Sequence, residues 1–204
     1  MTQVSERISP ENRYAAYFMD FEALKKDPTP LWLRRLRMQA LDRFENLGIP
    51  ITRELQFPEK EDWLFTNLAP IAKIPFSRAP ALNTLGVNRD NLIPYTFGDA
   101  SWTELVFVNG IYAESLSTTH SYPGGVTIQP ISNAITDDNE ALQGHLAKYA
   151  DHEKAGLTAL NTAFLNDGVF IQVPEGEMVE HPIHVLYVSA DREIPTVTHP
   201  RTLV

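Results

Sequence analysis

Two histidines three positions apart, His181 and His184, come closest in this sequence to a metal-binding arrangement. Imidazole nitrogen is a common ligand of zinc, iron and copper. On a β-strand, however, side chains alternate between the two faces, so residues three apart point in opposite directions. Pro182 disfavours the helix that would bring both rings to one side. We therefore interpret both histidines as structural or surface residues and predict no metal ligands.

The segment around this pair leaves one enzymatic alternative open, a cupin-type metal-dependent enzyme with a β-fold. Cupins present two histidines with a single intervening residue on one strand face, followed by a glutamate. Here two residues separate His181 from His184, and the next glutamate downstream is Glu193. A second pair, His145 and His152, is seven positions apart, which would place both on one face of a continuous helix. A solvated helix surface explains that second pair more simply.

Three glutamates, Glu175, Glu177 and Glu180, lie in and beside a turn that contains proline and glycine. Paired carboxylates carry out glycoside hydrolysis, so a polysaccharide-active β-helix enzyme is a further alternative. Acidic residues are also common in exposed turns. We therefore assign no catalytic role to these three residues.

Signatures of other chemistries are absent from the sequence. Gly124-Gly125 is not followed by a Gly-Lys-Ser/Thr sequence, and no G-x-G-x-x-G or G-x-S-x-G motif is present. The chain has no cysteine, which excludes disulfides, thiolate zinc sites, cysteine nucleophiles and all-cysteine cluster ligation within it. The sequence predicts no catalytic, cofactor-binding or metal-binding residue, and a protein that is not an enzyme.

Composition limits the partners that this chain can have. Its formal net charge is −9, whereas binding to a nucleic-acid backbone needs clustered lysine and arginine. No apolar run approaches the roughly 20 residues that span a bilayer. The N-terminal residues lack the basic and apolar regions of a secretory signal. We predict protein partners, no nucleic acid, no membrane, and a location in the cytoplasm, or in the plastid stroma if a transit peptide has been removed.

Four arginines in one predicted helix, Arg34, Arg35, Arg37 and Arg43, form a basic patch in this acidic chain. Such a patch is usually a solvated helix face. It can also dock an acidic partner. The sequence leaves both interpretations open.

Helices are predicted in the N-terminal part of the chain. Ser9-Pro10-Glu11 supplies an N-cap, a first-turn proline and an early acid, and the apolar spacing predicts a helix to about Lys25. A second helix follows Thr29-Pro30 and ends at Gly48. Further helices are predicted from Asp137-Asp138 to about Tyr149 and between about Gly156 and Leu165.

Strands dominate the later part of the chain. Asn109-Gly110 separates two β-rich runs and predicts a hairpin, because both turn positions require positive φ. Val126–Ile131 is a further predicted strand. After Gly168, three short β runs alternate with proline and glycine, and His181-Pro182 is echoed by His199-Pro200 eighteen residues later. Evenly spaced strands of this kind indicate coils of a β-solenoid, with an ordinary antiparallel sheet as the alternative. The β runs are Val169–Val173, Met178-Val179 and Ile183–Ser189.

Four segments, in this order, resemble the SufB/SufD family of iron–sulfur cluster assembly proteins. The two N-terminal helices and the lack of cysteine resemble the SufD branch more than the SufB branch. The segments are Glu61–Leu68, Phe107–Gly110, Ala159–Phe164, and Pro182–Val185 leading to His199-Pro200-Arg201.

This resemblance implies an α+β chain with an N-terminal helical region at residues 1–155. Residues 156–204 would form the first coils of a right-handed parallel β-helix, truncated at Val204. The implied function is a non-catalytic scaffold subunit that supports cluster building with SufB-like and SufC-like partners, and a homodimer is also compatible with the pattern. No cofactor is expected in this chain, because the cluster ligands of the family would lie later in the sequence.

Overall fold

The computed structural model describes residues 10–23, 29–50, 66–78, 86–190 and 195–204, which form two compact units. The first unit is drawn from Met1–Lys73 and Ala147–Phe164, and the second from Ile74–Leu146 and Leu165–Val204. The helices are α1 Pro10–Ala23, α2 Leu31–Leu47, α3 Ala69–Ala72, α4 Arg89–Leu92, α5 Ile131–Thr136, α6 Glu140–His145 and α7 Gly156–Ala163. The strands are β1 Ser77–Arg78, β2 Thr103–Val108, β3 Ile111–Tyr112, β4 Thr127–Pro130, β5 Gly168–Gln172, β6 Ile183–Val188, β7 Thr196–Val197 and β8 Arg201–Leu203.

The mixed α+β class predicted from the sequence is confirmed. The two compact units interleave along the chain, since α7 belongs to the first unit although it follows α6 of the second. The division into residues 1–155 and 156–204 stays a prediction. The tryptophan-containing segment Glu61–Phe65, Ser9, Lys25 and Glu193 lie outside the described residues.

The core of the first unit lies between α2 and α7. Phe44 packs against Ala159 and Leu160, and Tyr14 and Phe164 surround this cluster. The predicted second helix is confirmed, because its buried positions recur at the spacing of one helix face and it ends at Gly48, which has a φ of 68°.

The described residues of the second unit form three small sheets. Their strand orders are β3-β2-β6, β4-β5-β8 and β1-β7. Strand β2 buries both of its faces, which is why it reads as a continuous apolar run. Leu105 and Phe107 pack against Val169 and Ile171 of β5, while Val106 and Val108 belong to a second cluster that includes Leu92.

The predicted hairpin is confirmed. Strands β2 and β3 pair antiparallel, with Phe107 opposite Tyr112. Asn109 and Gly110 have φ values of 48° and 75°, as a type I′ turn requires. Asn109 also ties this turn to the chain after β6, because its Oδ1 accepts a hydrogen bond from the Ala190 amide at 2.9 Å.

The helix predicted from Asp137-Asp138 to about Tyr149 is present but shorter, and its predicted cap is wrong. Asp138 adopts a φ of 52°, and α6 is capped instead by Asn139, whose Oδ1 accepts a hydrogen bond from the Leu142 amide. The helix ends at His145, and Ala147 has a φ of 60°. His145 and His152 are therefore not on one helix.

Two details of the predicted strands are also wrong. Met178-Val179 is not a strand, and Ile131 begins α5 where the sequence predicts the end of a strand. The eighteen-residue echo of His181-Pro182 is not a structural repeat. The strands that follow the two His-Pro pairs, β6 and β8, belong to different sheets.

The backbone at Gly156 lies close to the backbone at Gly48 in the first unit. An added Cβ at Gly156 would collide with the carbonyl oxygen of Gly48, whereas Gly144 in α6 faces open space. We expect Gly156→Ala to lower the free energy of unfolding by roughly 1–3 kcal/mol, because backbone cannot move aside easily. Gly144→Ala, the matched control, should leave it unchanged or raise it by up to about 1 kcal/mol. Urea unfolding followed by circular dichroism measures both, and equal effects would contradict the close approach.

Candidate functional site

Among the strands that the structure describes in the second unit, three pairs run parallel. Strand β6 pairs with β2, β7 with β1, and β8 with β5. From β5 the chain therefore passes through the sheets of β2 and β1 and then returns to β5. Gly168 lies opposite Arg201, 33 positions later. This parallel return distinguishes the tail from a hairpin sheet, in which successive strands would pair antiparallel.

Side chains also link the later strands. The Tyr187 ring stacks on Phe107 with centroids 5.1 Å apart, and its hydroxyl is 3.1 Å from Thr202 Oγ1. Burial raises the pKa of Tyr187, so its phenol stays protonated at neutral pH. Contacts between β6 and β8 thus fix the path of the chain between them.

Strands β6, β7 and β8 are each at an edge of their sheet within the part of the chain that the structure describes. The Val188 carbonyl accepts a hydrogen bond from the Asn109 amide at 2.8 Å, so Val188 directs its backbone groups toward β2. Because successive residues alternate in this direction, Val185 and Tyr187 direct theirs to the open side. On β8, the Arg201 amide donates to the Asp167 carbonyl, so Arg201 directs its backbone groups toward β5. By the same alternation, the next residue, Thr202, directs its backbone groups to the open side.

A buried carboxylate fixes the start of β5. Asp167 is 3% exposed and accepts hydrogen bonds from the amides of Tyr112, Ser132 and Gly168, at 3.0, 3.1 and 2.9 Å. Its backbone carbonyl accepts from the Arg201 amide at 3.2 Å. Burial raises the pKa of Asp167, while the three amides act in the opposite direction. The sequence does not predict this role, because Asn-Asp-Gly at residues 166–168 is a pattern typical of any turn.

His181 and His184, predicted as structural or surface residues, contact different neighbours. His184 Nδ1 is 2.8 Å from Glu104 Oε2, and its ring meets the edge of Phe97 with centroids 5.1 Å apart. His181 is exposed beside Asp99. Within the described ranges, no group of three or more histidine, cysteine or acidic residues is arranged to hold a metal ion.

His199 lies just before β8 in a largely desolvated position, which lowers its pKa to about 4. The ring is therefore neutral at pH 7. Burial also lowers the pKa of the neighbouring Arg201. Glu175, Glu177 and Glu180 are exposed, in and beside the turn that follows β5.

The basic patch of α2 is smaller than the sequence indicates. Arg37 is 1% exposed; its Nη1 donates to Glu22 Oε1 at 2.9 Å, and its guanidinium lies over the Phe21 ring. Burial lowers the pKa of Arg37 to about 10, and Glu22 opposes this shift. Arg43 is paired with Glu153. Of the four arginines, only Arg34 and Arg35 remain on the exposed face.

This mixed α+β architecture, with a parallel return of strands and no assembled catalytic set in the described residues, can be compared with known proteins. The sequence matches the family described as the SufBD protein N-terminal region across residues 8–185. The chain therefore belongs to the SufBD family.

Three curated relatives agree with this membership. The chain is 28% identical over 168 residues to an iron-sulfur cluster assembly SufBD family protein of Synechocystis, covering 82% of this chain and 35% of that protein. It is 23% identical over 203 residues to the iron-sulfur cluster assembly protein SufD of Bacillus subtilis, covering 95% of this chain and 42% of that protein. An iron-sulfur cluster assembly SufBD family protein of Pyrococcus horikoshii is 23% identical over 186 residues, covering 87% of this chain and 40% of that protein. The chain thus spans about two fifths of the length of these relatives. Among the helices that the structure describes, none has the length and apolar character to cross a bilayer.

The Asp167 carboxylate predicts a pH-dependent contribution to stability. Asp167→Asn would place a side-chain NH2 group against one of the three backbone amides that donate to Asp167. We expect this variant to lower the free energy of unfolding, measured with urea, by about 2–4 kcal/mol. The folded state raises the pKa of Asp167 above its ordinary value of 3.8 and so binds the proton more tightly. Its contribution is largest below that value and falls as the pH rises through the raised pKa. The gap between native protein and variant should therefore narrow from pH 4 to pH 7. Asp137→Asn, at an exposed position, serves as the control; a gap that widens with pH would contradict the assignment.

The ion pair between buried Arg37 and partly buried Glu22 makes a second prediction, for the stability of the first unit. Glu22→Ala would remove the carboxylate from a buried guanidinium and should lower the free energy of unfolding by about 3 kcal/mol. The double variant with Arg37→Met should recover part of that loss, because an apolar side chain needs no charged partner. Arg34→Ala, on the exposed face, should change stability by less than about 0.5 kcal/mol. Equal effects of Glu22→Ala and Arg34→Ala in chemical unfolding would rule out the buried pair.

Proposed function

We propose that this chain is the N-terminal part of a non-catalytic scaffold subunit in an iron–sulfur cluster assembly complex. The observation that carries the proposal is the family match over residues 8–185, together with relatives named as iron-sulfur cluster assembly proteins. The iron–sulfur cluster is cargo in this proposal. SufB-like and SufC-like subunits are the proposed partners, in the cytoplasm or the plastid stroma.

The tail of the chain, in this proposal, is the first coil of a right-handed parallel β-helix. The support is that β8 returns parallel to β5 after 33 positions, while β6 and β7 lie parallel to β2 and β1. Among the described residues, β6, β7 and β8 each pair with a strand on one side only, and an unpaired strand edge offers backbone groups to another strand. The open edges of β6 and β8 would therefore receive further strands, from a following coil or from a partner subunit.

The cupin alternative gains no support from the positions of its residues. The proposed pair would need both imidazoles directed at one ion, but His184 is bonded to Glu104 and His181 is exposed. The polysaccharide-active alternative likewise has only exposed glutamates in and beside a turn. The scaffold proposal requires no such convergence of side chains.

Co-expression tests the scaffold proposal directly. The full gene product that contains this chain would be expressed with the SufB-like and SufC-like proteins of the same genome and purified through a tag on it. We expect a stable complex that carries an iron–sulfur cluster, with ATP hydrolysis only when the SufC-like subunit is present. A product that instead purifies alone with stoichiometric metal and turns over a substrate would overturn the proposal.

Amide exchange on β6 tests the open edge. The amides of Val185 and Tyr187 should exchange rapidly in the 204-residue chain, while those of Leu186 and Val188, directed at β2, should be protected. Binding of a further strand should protect the first pair as well. Uniform protection along β6 in the chain by itself would contradict an open edge.

Two neighbouring proline variants provide a matched comparison on the same strand. Val185→Pro removes an amide on the open side and should reduce stability by less than about 1.5 kcal/mol, whereas Leu186→Pro removes a ladder bond and should reduce it by about 3 kcal/mol or more. Val185→Pro should nevertheless prevent strand addition and complex formation. Intact complex with Val185→Pro would exclude β6 as the receiving edge.

A further inference from the structure

A groove of about 390 Å³ lies beside the N-terminal end of β2 in the second unit. Leu92 and Leu116 line its apolar part, and Trp102 and Glu104 flank the start of β2. Thr118 closes the open side of that strand end, because Glu104 and Thr118 exchange backbone hydrogen bonds at 2.7 and 2.8 Å. The groove is therefore built on fixed backbone.

Aromatic rings form one wall of the groove. Phe97 and Trp102 pack with centroids 5.0 Å apart, and Phe97 also contacts the ring of His184. Phe97 is nevertheless 68% exposed, and Tyr95 close by is 66% exposed. Phe97 is therefore held by neighbouring rings and remains accessible to a ligand.

Two carboxylates share the groove with these rings. Glu104 Oε2 is hydrogen-bonded to His184 Nδ1, whereas Glu104 Oε1 has no hydrogen-bond partner within the described part of the chain. Asp99 Oδ1 accepts from the amide and hydroxyl of Ser101, and these hydrogen bonds lower the pKa of Asp99. Both residues line the groove, and each carboxylate retains acceptor capacity.

The single arginine of the groove lining is directed elsewhere. Arg89 Nη2 donates to the Ser117 carbonyl at 3.1 Å and lies 3.4 Å from Thr118 Oγ1. Its charge is outnumbered by those of Asp99 and Glu104. The lining residues therefore combine an exposed aromatic ring with more carboxylates than guanidinium groups, an arrangement that complements a cation.

We propose that this groove binds the guanidinium group of an arginine side chain presented by a partner protein. A guanidinium is planar, stacks on aromatic faces and donates in-plane hydrogen bonds to carboxylates, so it fits Trp102 and Glu104 better than a compact ammonium does. An anionic partner would meet the two carboxylates, and a purely apolar one would leave them desolvated without a donor. The inference does not depend on the proposed function in cluster assembly.

Titration with N-acetyl-arginine amide, monitored by the indole resonance of Trp102, tests this proposal on the 204-residue chain. The resonance is assigned by its loss in Trp102→Phe, and the indole of Trp32 in the first unit is the internal reference. We expect saturable shifts at Trp102 alone. N-acetyl-citrulline amide, which has the same shape without the charge, should bind at least roughly fivefold more weakly.

Charge-neutral variants complete the test. Glu104→Gln keeps an oxygen to accept from His184 and should weaken arginine binding roughly fivefold, as should Asp99→Asn at a fully exposed position. Glu175→Gln, in the turn after β5, is the matched control and should bind normally. The urea unfolding curve of each variant is first compared with that of the unmodified chain. If Glu104→Gln is destabilised, the arginine affinity of Asp99→Asn alone decides whether the proposal holds. Equal binding of citrulline and arginine, or unchanged affinity in Asp99→Asn, would overturn the assignment.

Discussion

The second unit depends on one buried carboxylate that satisfies backbone donors from three separate elements. Asp167 accepts from Tyr112 in the hairpin, Ser132 in α5 and Gly168 at the start of β5. A buried amide without a partner costs roughly 1–3 kcal/mol, so each of these bonds holds its element in place. The backbone of the same residue receives Arg201. A single position thereby fixes both the hairpin and the register of the parallel return.

That register explains the glycine at the next position. Gly168 has a φ of 144°, and an added Cβ would collide with the backbone of Arg201. Only a residue without a side chain lets β8 approach β5 closely enough to pair while the Asp167 carbonyl accepts from Arg201. The parallel return is therefore a consequence of local backbone geometry as well as of the apolar pattern of β5.

Local signals were sufficient to predict some elements from the sequence. The Asn109-Gly110 turn and α2 depend on short-range rules of φ and periodicity, and both are confirmed. The role of Asp167 and the burial of Arg37 depend on partners 55 and 15 positions away, which no local pattern specifies. The proposed groove was missed for the same reason, since the pairing of Glu104 with His184 joins residues 80 positions apart. Propensity also misplaced the cap of α6, because two aspartates and one asparagine compete for that position and only Asn139 has the required backbone conformation.

The satisfied and unsatisfied groups of the described residues support the scaffold function proposed above. The buried charges that the structure describes are each matched: Asp167 by amides and Arg37 by Glu22. A catalytic group must instead keep a reactive atom available at a cleft with its pKa adjusted to the reaction. What the described fold leaves available is backbone on the open side of Val185 and Tyr187, and ring faces beside carboxylates. Backbone edges of this kind recognise strands, whose main-chain groups are common to all sequences, so specificity must come from side chains nearby. An arginine-binding groove at the other end of the same sheet would supply such discrimination without requiring any covalent chemistry from this chain.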